Sequence, residues 1–313
     1  MSPSKTQLLI ETVSRVMVGK EEQIRLLVAA LLARSHVLLE DLPGMGKTML
    51  AKTLAQAIGG TFHRLQFTSD LLPSDVVGLH YFNPQTSAFE LRRGPVFTNV
   101  LLADEINRAT PRTQSGLLEC MEERQATIEG VTLPLPAVFF VIATQNPIES
   151  EGTYPLPEAQ LDRFLLRLSL GYGTRDDARE ILRRFRGDSP LARIEPVVSI
   201  DEIAAMQREV QEIHVSEAVE EYVIDLTEAS RAHKAVEVGI SPRAMLALVR
   251  SAQALAYIAG RGYVLPDDVK QVVPALFTHR LQLSLEAELH VTEAEVVNEI
   301  LRSVPTPVEE GVR

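Results

Sequence analysis

Over the first 170 residues the hydrophobic and polar positions form two alternating kinds of segment. Short runs with strand-like patterns predict strands at 37–40, 62–67, 99–103, 137–143 and 164–169. Helical periodicity predicts helices at 5–18, 21–34, 47–58 and 110–124. Two of the strands are apolar on both faces, which is typical of a parallel sheet that helices cover on both sides. We therefore expect an α/β fold in this part of the chain.

Beyond residue 175 the pattern is helical and no further strand is predicted. Helices are expected at 199–212, 216–233, 241–259, 265–274 and 292–303, and capping-box signatures begin at Ser199 and Thr292. We place an α/β core at residues 1–190 and a small all-helical domain at 191–313. An insertion at about 68–98 interrupts the core, and the stretch 82–91 reads as a hairpin with Asn-Pro in its turn.

Composition narrows the class of protein. The chain has 313 residues, a formal net charge of −11 and a pI of about 5.2, which disfavours a dedicated nucleic-acid binder. A local basic stripe inside an oligomer's pore is compatible with this balance. The longest apolar runs are too short to span a bilayer and the N-terminus shows no signal-peptide pattern, so we expect no membrane segment. The single cysteine, Cys120, is expected in the core, and a cytoplasmic location is the default.

A glycine-rich turn between the first strand and the next helix is the strongest chemical signal. It reads Asp41-Leu-Pro43-Gly44-Met45-Gly46-Lys47-Thr48, followed by Met49. A strand, a loop whose N–H groups cradle phosphate, and a helix N-terminus together make a P-loop. Lys47 would reach the β- and γ-phosphates and Thr48 would ligate Mg²⁺. Asp41 replaces the usual first glycine, and its carboxylate should point away from the phosphates. The alternative is an ordinary strand-to-helix turn.

Two adjacent carboxylates end the apolar strand 99–103. Ligands bind at strand ends in open α/β sheets, so Asp104 would help to hold Mg²⁺ and Glu105 would polarise the attacking water. Asn146 follows the fourth strand and would lie beside the first strand, where it could orient that water. The alternatives are solvated carboxylates and an asparagine that caps a turn before proline.

Two arginines are further candidates. Arg163, in Leu-Asp-Arg-Phe, could be an arginine finger for a neighbouring subunit's nucleotide, although a surface Asp–Arg pair explains its spacing equally well. Arg243 follows Ser241-Pro at a helix N-terminus, where it opposes the helix dipole unless an anion lies nearby. A bound phosphate or an acidic neighbour would supply that anion. His279 and Arg280 are expected to form a pair of cations at a helix end.

Together these motifs resemble the MoxR branch of AAA+ ATPases over residues 5–303. The resemblance rests on the stretches 39–48, 103–109, 117–125, 143–147 and 156–164. It implies an AAA+ parallel-sheet P-loop NTPase core with a helical lid. It also implies Walker A at Lys47 and Thr48, Walker B at Asp104 and Glu105, and sensor 1 at Asn146. The other implied roles are the arginine finger at Arg163, sensor 2 at Arg243 and an adenine-pocket segment at Val18 and Gly19.

The resemblance further implies ATP and Mg²⁺ as cofactors, hexameric rings, and partners with von Willebrand factor A domains. Members are thought to remodel partner proteins or to insert metal ions. We therefore expect an ATP hydrolase with a chaperone-like output. The alternatives are a magnesium-chelatase-like motor subunit, a nucleotide-gated scaffold with incidental hydrolysis and, least favoured by the acidic charge, a DNA helicase.

Overall fold

A five-stranded parallel sheet forms the centre of the core. The computed structural model describes residues 4–146, 152–187 and 189–307. The sheet contains β1 Val37–Glu40, β2 Phe62–Gln66, β5 Val100–Asp104, β8 Phe140–Gln145 and β9 Leu166–Leu168. Their order across the sheet is β2-β5-β8-β1-β9, and every pairing is parallel. The expected α/β fold with a parallel sheet is confirmed.

The remaining elements surround this sheet. The helices of the core are α1 Lys5–Ser14, α2 Glu21–Leu32, α3 Lys47–Ala57, α4 Pro73–Val77, α5 Pro111–Glu123, α6 Glu158–Leu161 and α7 Arg175–Arg184. The C-terminal helices are α8 Ile200–Glu209, α9 Glu217–Ala232, α10 Pro242–Ile258, α11 Pro266–Phe277 and α12 Glu293–Ser303. The outlying strands are β3 Gly78–Asn83, β4 Ala88–Arg93, β6 Gln125–Ile128, β7 Val131–Pro134, β10 Val236–Val238 and β11 Gln282–Leu283.

The sheet separates two hydrophobic clusters, because successive side chains of a strand point to opposite faces. In β1, Val37 and Leu39 join the cluster that contains α1, α2 and α3, whereas Leu38 joins the cluster around α5. The first cluster continues without a break into α9, α10, α11 and α12. The helical part therefore packs directly on the α1–α2 side of the core.

The fourth strand begins later than its apolar sequence predicts. The run 137–143 is apolar because Val138 and Phe139 are buried in opposite clusters, but only residues 140–145 pair with the neighbouring strands. The carbonyl of Val138 accepts instead from the side-chain amide of Asn99, at 2.9 Å. Burial rather than strand pairing explains the first part of this run.

The inserted hairpin is confirmed as β3 and β4, which pair from Gly78 opposite Arg93 to Asn83 opposite Ala88. A second hairpin, β6–β7, and the helix α7 were not predicted. The expected helical C-terminal part is confirmed, and β10 and β11 add a short antiparallel pair that was not predicted. None of the helices in the described parts of the chain has the length and apolarity to cross a membrane.

The expectation of a cation pair at His279 and Arg280 is also wrong. Both side chains are buried between α11 and the segment before β9. His279 Nε2 lies 3.1 Å from the carbonyl of Phe164, and burial lowers the pKa of His279 well below its usual value, so this ring is neutral. Burial lowers the pKa of Arg280, and its guanidinium pairs with the carboxylate of Asp162 at 2.6 Å. The two residues fasten the helical part to the core.

Candidate functional site

The loop between β1 and α3 has the shape of an anion cradle. Gly44 and Gly46 have φ values of 84° and 90°, in the left-handed region that glycine adopts without strain. Gly46 is the N-cap of α3 and has no side chain to occupy the first-turn N–H groups. These groups therefore point toward the loop formed by Pro43, Gly44 and Met45, as a phosphate site requires.

The departure at Asp41 has a structural explanation. Its carboxylate is buried and accepts hydrogen bonds from the hydroxyl of Ser169 at 2.8 Å and from the N–H groups of Leu170 and Gly171 at 2.7 and 3.0 Å. The side chain thus points toward the loop after β9 and away from the phosphate cradle. Lys47 Nζ donates to the carbonyl of Asp41 at 2.8 Å, so this cation is folded onto its own loop.

Asp104 ends β5 and is held from two sides. Its Oδ1 accepts from the hydroxyl of Thr144 at 2.6 Å, and its Oδ2 accepts from Arg64 Nη2 at 2.7 Å. Arg64 lies on the neighbouring strand β2 and is half-exposed. The carboxylate is therefore oriented by β8 and paired with a cation of β2, and its Oδ1 keeps a further lone pair.

Glu105 follows in a left-handed conformation with φ 55°, which turns its side chain away from the strand direction. The side-chain amide of Gln66 donates to Glu105 Oε2 at 2.7 Å, and Arg108 Nε lies 3.0 Å from the same oxygen. The Glu105 N–H donates to the hydroxyl of Thr144 at 2.9 Å. Thr144 thus fixes both carboxylate residues relative to β8. Sequence reasoning missed Arg64, Gln66 and Thr144, although all three lie at or near strand ends.

The strand order brings the predicted nucleotide residues to one edge. Asn146 directly follows β8, which pairs with β1 in the register Glu40 opposite Gln145, and it is buried. Asp104 ends the strand on the other side of β8, about 10 Å from β1. The P-loop, Asn146 and the two carboxylates therefore share the carboxyl edge of the sheet, where open α/β sheets bind ligands.

The donor groups at this edge suit Mg²⁺ bound with phosphates. Thr48, in the first turn of α3, offers a hydroxyl and Asp104 a carboxylate, and both are oxygen ligands of the kind that Mg²⁺ prefers. Within the described ranges, no three His, Cys, Asp or Glu side chains gather as a ready metal cage. An ion held by few protein groups, with phosphate oxygens and water completing its shell, fits such a site.

Val18 and Gly19 lie beside the cradle. A Cβ on Gly46 would come within 3.2 Å of the Met17 side chain, which places this segment against the P-loop. On the other side, a Cβ on Gly19 would overlap the Asp177 carboxyl group at about 2.5 Å. Asp177 belongs to the capping box of α7, whose N-cap is Thr174. The sequence Thr-Arg-Asp-Asp at 174–177 carried this capping signal.

Arg163 and Arg243 lie together, but not at this edge. Arg163 Nε is 3.0 Å from Glu122 Oε2, and Arg243 Nη2 is 3.1 Å from Glu122 Oε1. Arg243 also approaches Asp162 at 3.8 Å. Within one chain, acidic neighbours thus supply the anion expected near Arg243. Ser241 caps α10 by accepting from the Ala244 N–H, as the sequence indicated.

The two arginines occupy the amino edge of the sheet. Arg163 comes three residues before β9, and both arginines line a cavity with Ser35 and His36, which precede β1. The P-loop lies at the other end of β1, about 13 Å along the strand. The structure therefore brings Lys47, Thr48, Asp104, Glu105 and Asn146 to one edge and leaves Arg163 and Arg243 at the other.

Comparisons with known proteins agree with this architecture. A family model described as the ATPase family associated with various cellular activities (AAA) matches residues 36–166, and one described as an AAA lid domain matches residues 228–300. Bacillus subtilis YeaC, described as uncharacterised, is 48% identical over 96% of this chain and 94% of its own. Chaperone MoxR1 of Mycobacterium tuberculosis is 41% identical over 94% of this chain and 80% of its own.

A solved structure has the same fold. A crystal structure described as a candidate ATPase from Cytophaga hutchinsonii superposes with a TM-score of 0.90 at 39% sequence identity. The match covers 97% of this chain and 95% of that one. It therefore includes both the sheet and the helical part.

Proposed function

Because this chain belongs to the MoxR family of AAA+ ATPases, we propose that it binds ATP with Mg²⁺ and hydrolyses it at the carboxyl edge of the sheet. The carrying observation is that five of the predicted residues converge there through the strand order. Those residues are Lys47, Thr48, Asp104, Glu105 and Asn146. Their donors and acceptors match the groups that phosphoryl transfer requires.

Different residues bind the phosphates and activate the attacking water. The first turn of α3 binds phosphate oxygens, and Lys47 leaves the Asp41 carbonyl to contact the terminal phosphates. Thr48 and Asp104 would hold Mg²⁺, which would supply positive charge to neutralise the phosphates. Glu105 turns from Gln66 toward the attacking water and accepts its proton, while Asn146 orients that water. Val18 and Gly19 border the adenine position.

A complete site requires a second copy of the chain. Arg163 and Arg243 lie at the amino edge, so they are too far from their own P-loop to contact a nucleotide bound there. We place them against the nucleotide of a neighbouring subunit, where a guanidinium stabilises charge on the transferring phosphoryl group. In a ring, hexameric as the family resemblance implies, the amino edge of one subunit would lie against the carboxyl edge of the next. In the absence of that neighbour, Glu122 occupies both guanidinium groups.

We further propose that ATP turnover drives the remodelling of a partner protein. The name of one relative, Chaperone MoxR1, supports this output. A partner with a von Willebrand factor A domain, a metal-insertion role and a cytoplasmic location remain predictions from the sequence. The scaffold alternative also remains, and it differs by predicting negligible turnover.

The test compares Glu105→Gln with wild type in ATP binding and phosphate release. Glu105→Gln keeps the cradle and is expected to bind ATP like wild type, while turnover falls by about 10²- to 10⁴-fold. Glu123→Gln, an exposed carboxylate at the end of α5, is the matched control and should retain activity. Near-normal turnover by Glu105→Gln would remove Glu105 from its role. Negligible turnover by the wild type with its partner present would favour the scaffold.

A further inference from the structure

A cavity of about 590 Å³ opens at the amino edge of the sheet, between the core and the helical part. Its lining includes the side chains of Arg34, Arg124, Arg163, Arg243 and Arg250. Among the described residues, Glu122 is the only carboxylate in that lining. The whole chain carries a net charge of −11, so this concentration of cations runs against its overall balance.

Four secondary-structure elements deliver these arginines to one place. Arg34 follows α2, Arg124 follows α5, and Arg163 precedes β9. Arg243 and Arg250 lie seven residues apart on α10, which puts them on one face at a separation of about 10 Å along the axis. Arg34 and Arg124 both have left-handed backbones, with φ values of 55° and 52° at helix ends where glycine is usual. Distant parts of the sequence thus converge on the cavity.

Among the described residues that line the cavity, arginines outnumber carboxylates. Glu122 pairs with Arg163 and Arg243. In the described part of the chain, no carboxylate lies within ion-pair distance of Arg34, Arg124 or Arg250. Arg124 Nη1 is buried and finds no acceptor there. Burial, together with the positive charge of Arg34, lowers the pKa of Arg124. An unmatched buried N–H is costly, so the cavity is suited to an anion.

We propose that this cavity is a binding site for a chain of phosphate groups, held by Arg34, Arg124 and Arg250 in addition to Arg163 and Arg243. Guanidinium groups bind phosphate oxygens in pairs, and several of them can share one polyphosphate. The volume lies in the range of small-molecule sites. Phosphate, rather than a single carboxylate, matches the excess of positive charge.

The phosphate chain can come from two sources. One is a free polyphosphate or nucleotide that enters the cavity of a single chain. The other is the ATP that a neighbouring copy holds in its P-loop, and this source rests on the proposed function. The two sources predict different behaviour, because only the second requires assembly.

The first arm of the test measures the free anion. Lys47→Ala disables the P-loop, and inorganic tripolyphosphate is titrated into this variant by calorimetry. Adding Arg34→Gln or Arg250→Gln should weaken binding by about tenfold, since each removes charge-assisted hydrogen bonds to phosphate. Both positions are exposed, so folding should survive, and thermal unfolding followed by circular dichroism checks this. Arg302→Gln, an exposed arginine on α12, is the control and should change nothing.

The second arm measures assembly. In the Glu105→Gln background, sedimentation velocity records the ATP concentration at which chains associate. The double variant Arg34→Gln with Arg250→Gln should need about tenfold more ATP than the Arg302→Gln control, although each chain's own P-loop is intact. An effect in the first arm supports a free anion, and an effect confined to the second supports a neighbour's nucleotide.

The inference is overturned if the arginine variants match the Arg302→Gln control in both arms. Failure of the proposed function has a different signature. In that case wild type does not hydrolyse ATP and Lys47→Ala does not weaken ATP binding, while the tripolyphosphate result stands by itself. Each outcome therefore separates the cavity from the P-loop.

Discussion

Replacing Asp41 by glycine restores the usual P-loop sequence and should nevertheless damage the protein. The general string has glycine at this position, so sequence matching alone predicts a neutral or favourable change. The structure predicts the opposite, because the Asp41 carboxylate joins the P-loop to the loop after β9 through Ser169, Leu170 and Gly171.

The size of the loss follows from the three hydrogen bonds. Each bond to a charged acceptor contributes about 1.5–3 kcal/mol. Leu170 is buried, so its N–H finds no water when the carboxylate is removed, whereas Ser169 is exposed and Gly171 is half-buried, so water replaces part of their bonds. Glycine also adds about 0.5–1 kcal/mol through its greater freedom when unfolded. Together these contributions give a loss of about 3–5 kcal/mol.

Urea unfolding followed by circular dichroism measures this loss directly. Asp41→Asn is the matched variant, since its amide oxygen keeps part of the acceptor capacity and should lose about half as much stability. A loss of several kcal/mol is a large share of a typical domain stability of 5–15 kcal/mol. If Asp41→Gly unfolds at the wild-type urea concentration, the anchoring role assigned to Asp41 is wrong.

Three further predictions concern other contacts. The pKa of buried His36 is lowered to about 3, so only the unfolded chain takes up this proton between pH 6.5 and 3, and stability falls as pH falls. Urea unfolding of His36→Gln should therefore show a pH dependence weaker than wild type by about 1.4 kcal/mol per pH unit over that range, and equal slopes would refute it. Arg280→Met should cost about 3–5 kcal/mol in the same assay, because it removes the buried guanidinium that pairs with Asp162 and donates to the carbonyls of Phe164 and Leu165; a loss below about 1 kcal/mol would contradict this. Gln66→Ala should raise kcat for ATP by up to about tenfold without changing ATP affinity, since it removes one of the two contacts that hold Glu105 Oε2 and leaves only that of Arg108; an unchanged kcat would show that Gln66 does not restrain Glu105.

The sequence was sufficient to predict the parallel sheet and the residues at its carboxyl edge. Alternating apolar strands and helices predicted the parallel sheet, and the P-loop and the Asp104–Glu105 pair marked where two of the strands end. Local chemistry was enough because each of these motifs lies within a few residues of a strand or a helix terminus.

Contacts between segments that lie far apart along the chain could not be predicted from the sequence. Nothing local to Arg64 or Gln66 shows that β2 lies beside β5 and holds Asp104 and Glu105. The neutral, buried state of His279 depends on α11 packing against the segment before β9. The hairpin β6–β7 was missed because each of its strands has only four residues, which is the shortest run in which alternation can be recognised. Tertiary packing decided each of these cases.

The packing of the C-terminal helices decides where Arg243 lies, and the sequence did not predict this packing. Sequence motifs placed Arg243 in the site by resemblance, but α10 packs against α2 and Arg243 meets Glu122 at the amino edge. The hydrophobic cluster that joins the lid helices to α1 and α2 fixes this position, and no periodicity along a single helix indicates which neighbour its apolar face selects.

The central claim is that the two edges of different copies make one hydrolytic site, and mixing two inactive variants tests it most directly. Lys47→Ala cannot hold the phosphates, and Arg163→Ala cannot complete a neighbour's site, so each alone should release phosphate at a small fraction of the wild-type rate. In a mixture, some boundaries join the intact P-loop of an Arg163→Ala subunit to the intact Arg163 of a Lys47→Ala subunit. Steady-state phosphate release should then recover well above the sum of the separate rates. A mixture no faster than that sum, or an Arg163→Ala chain that is fully active alone, would contradict the shared site.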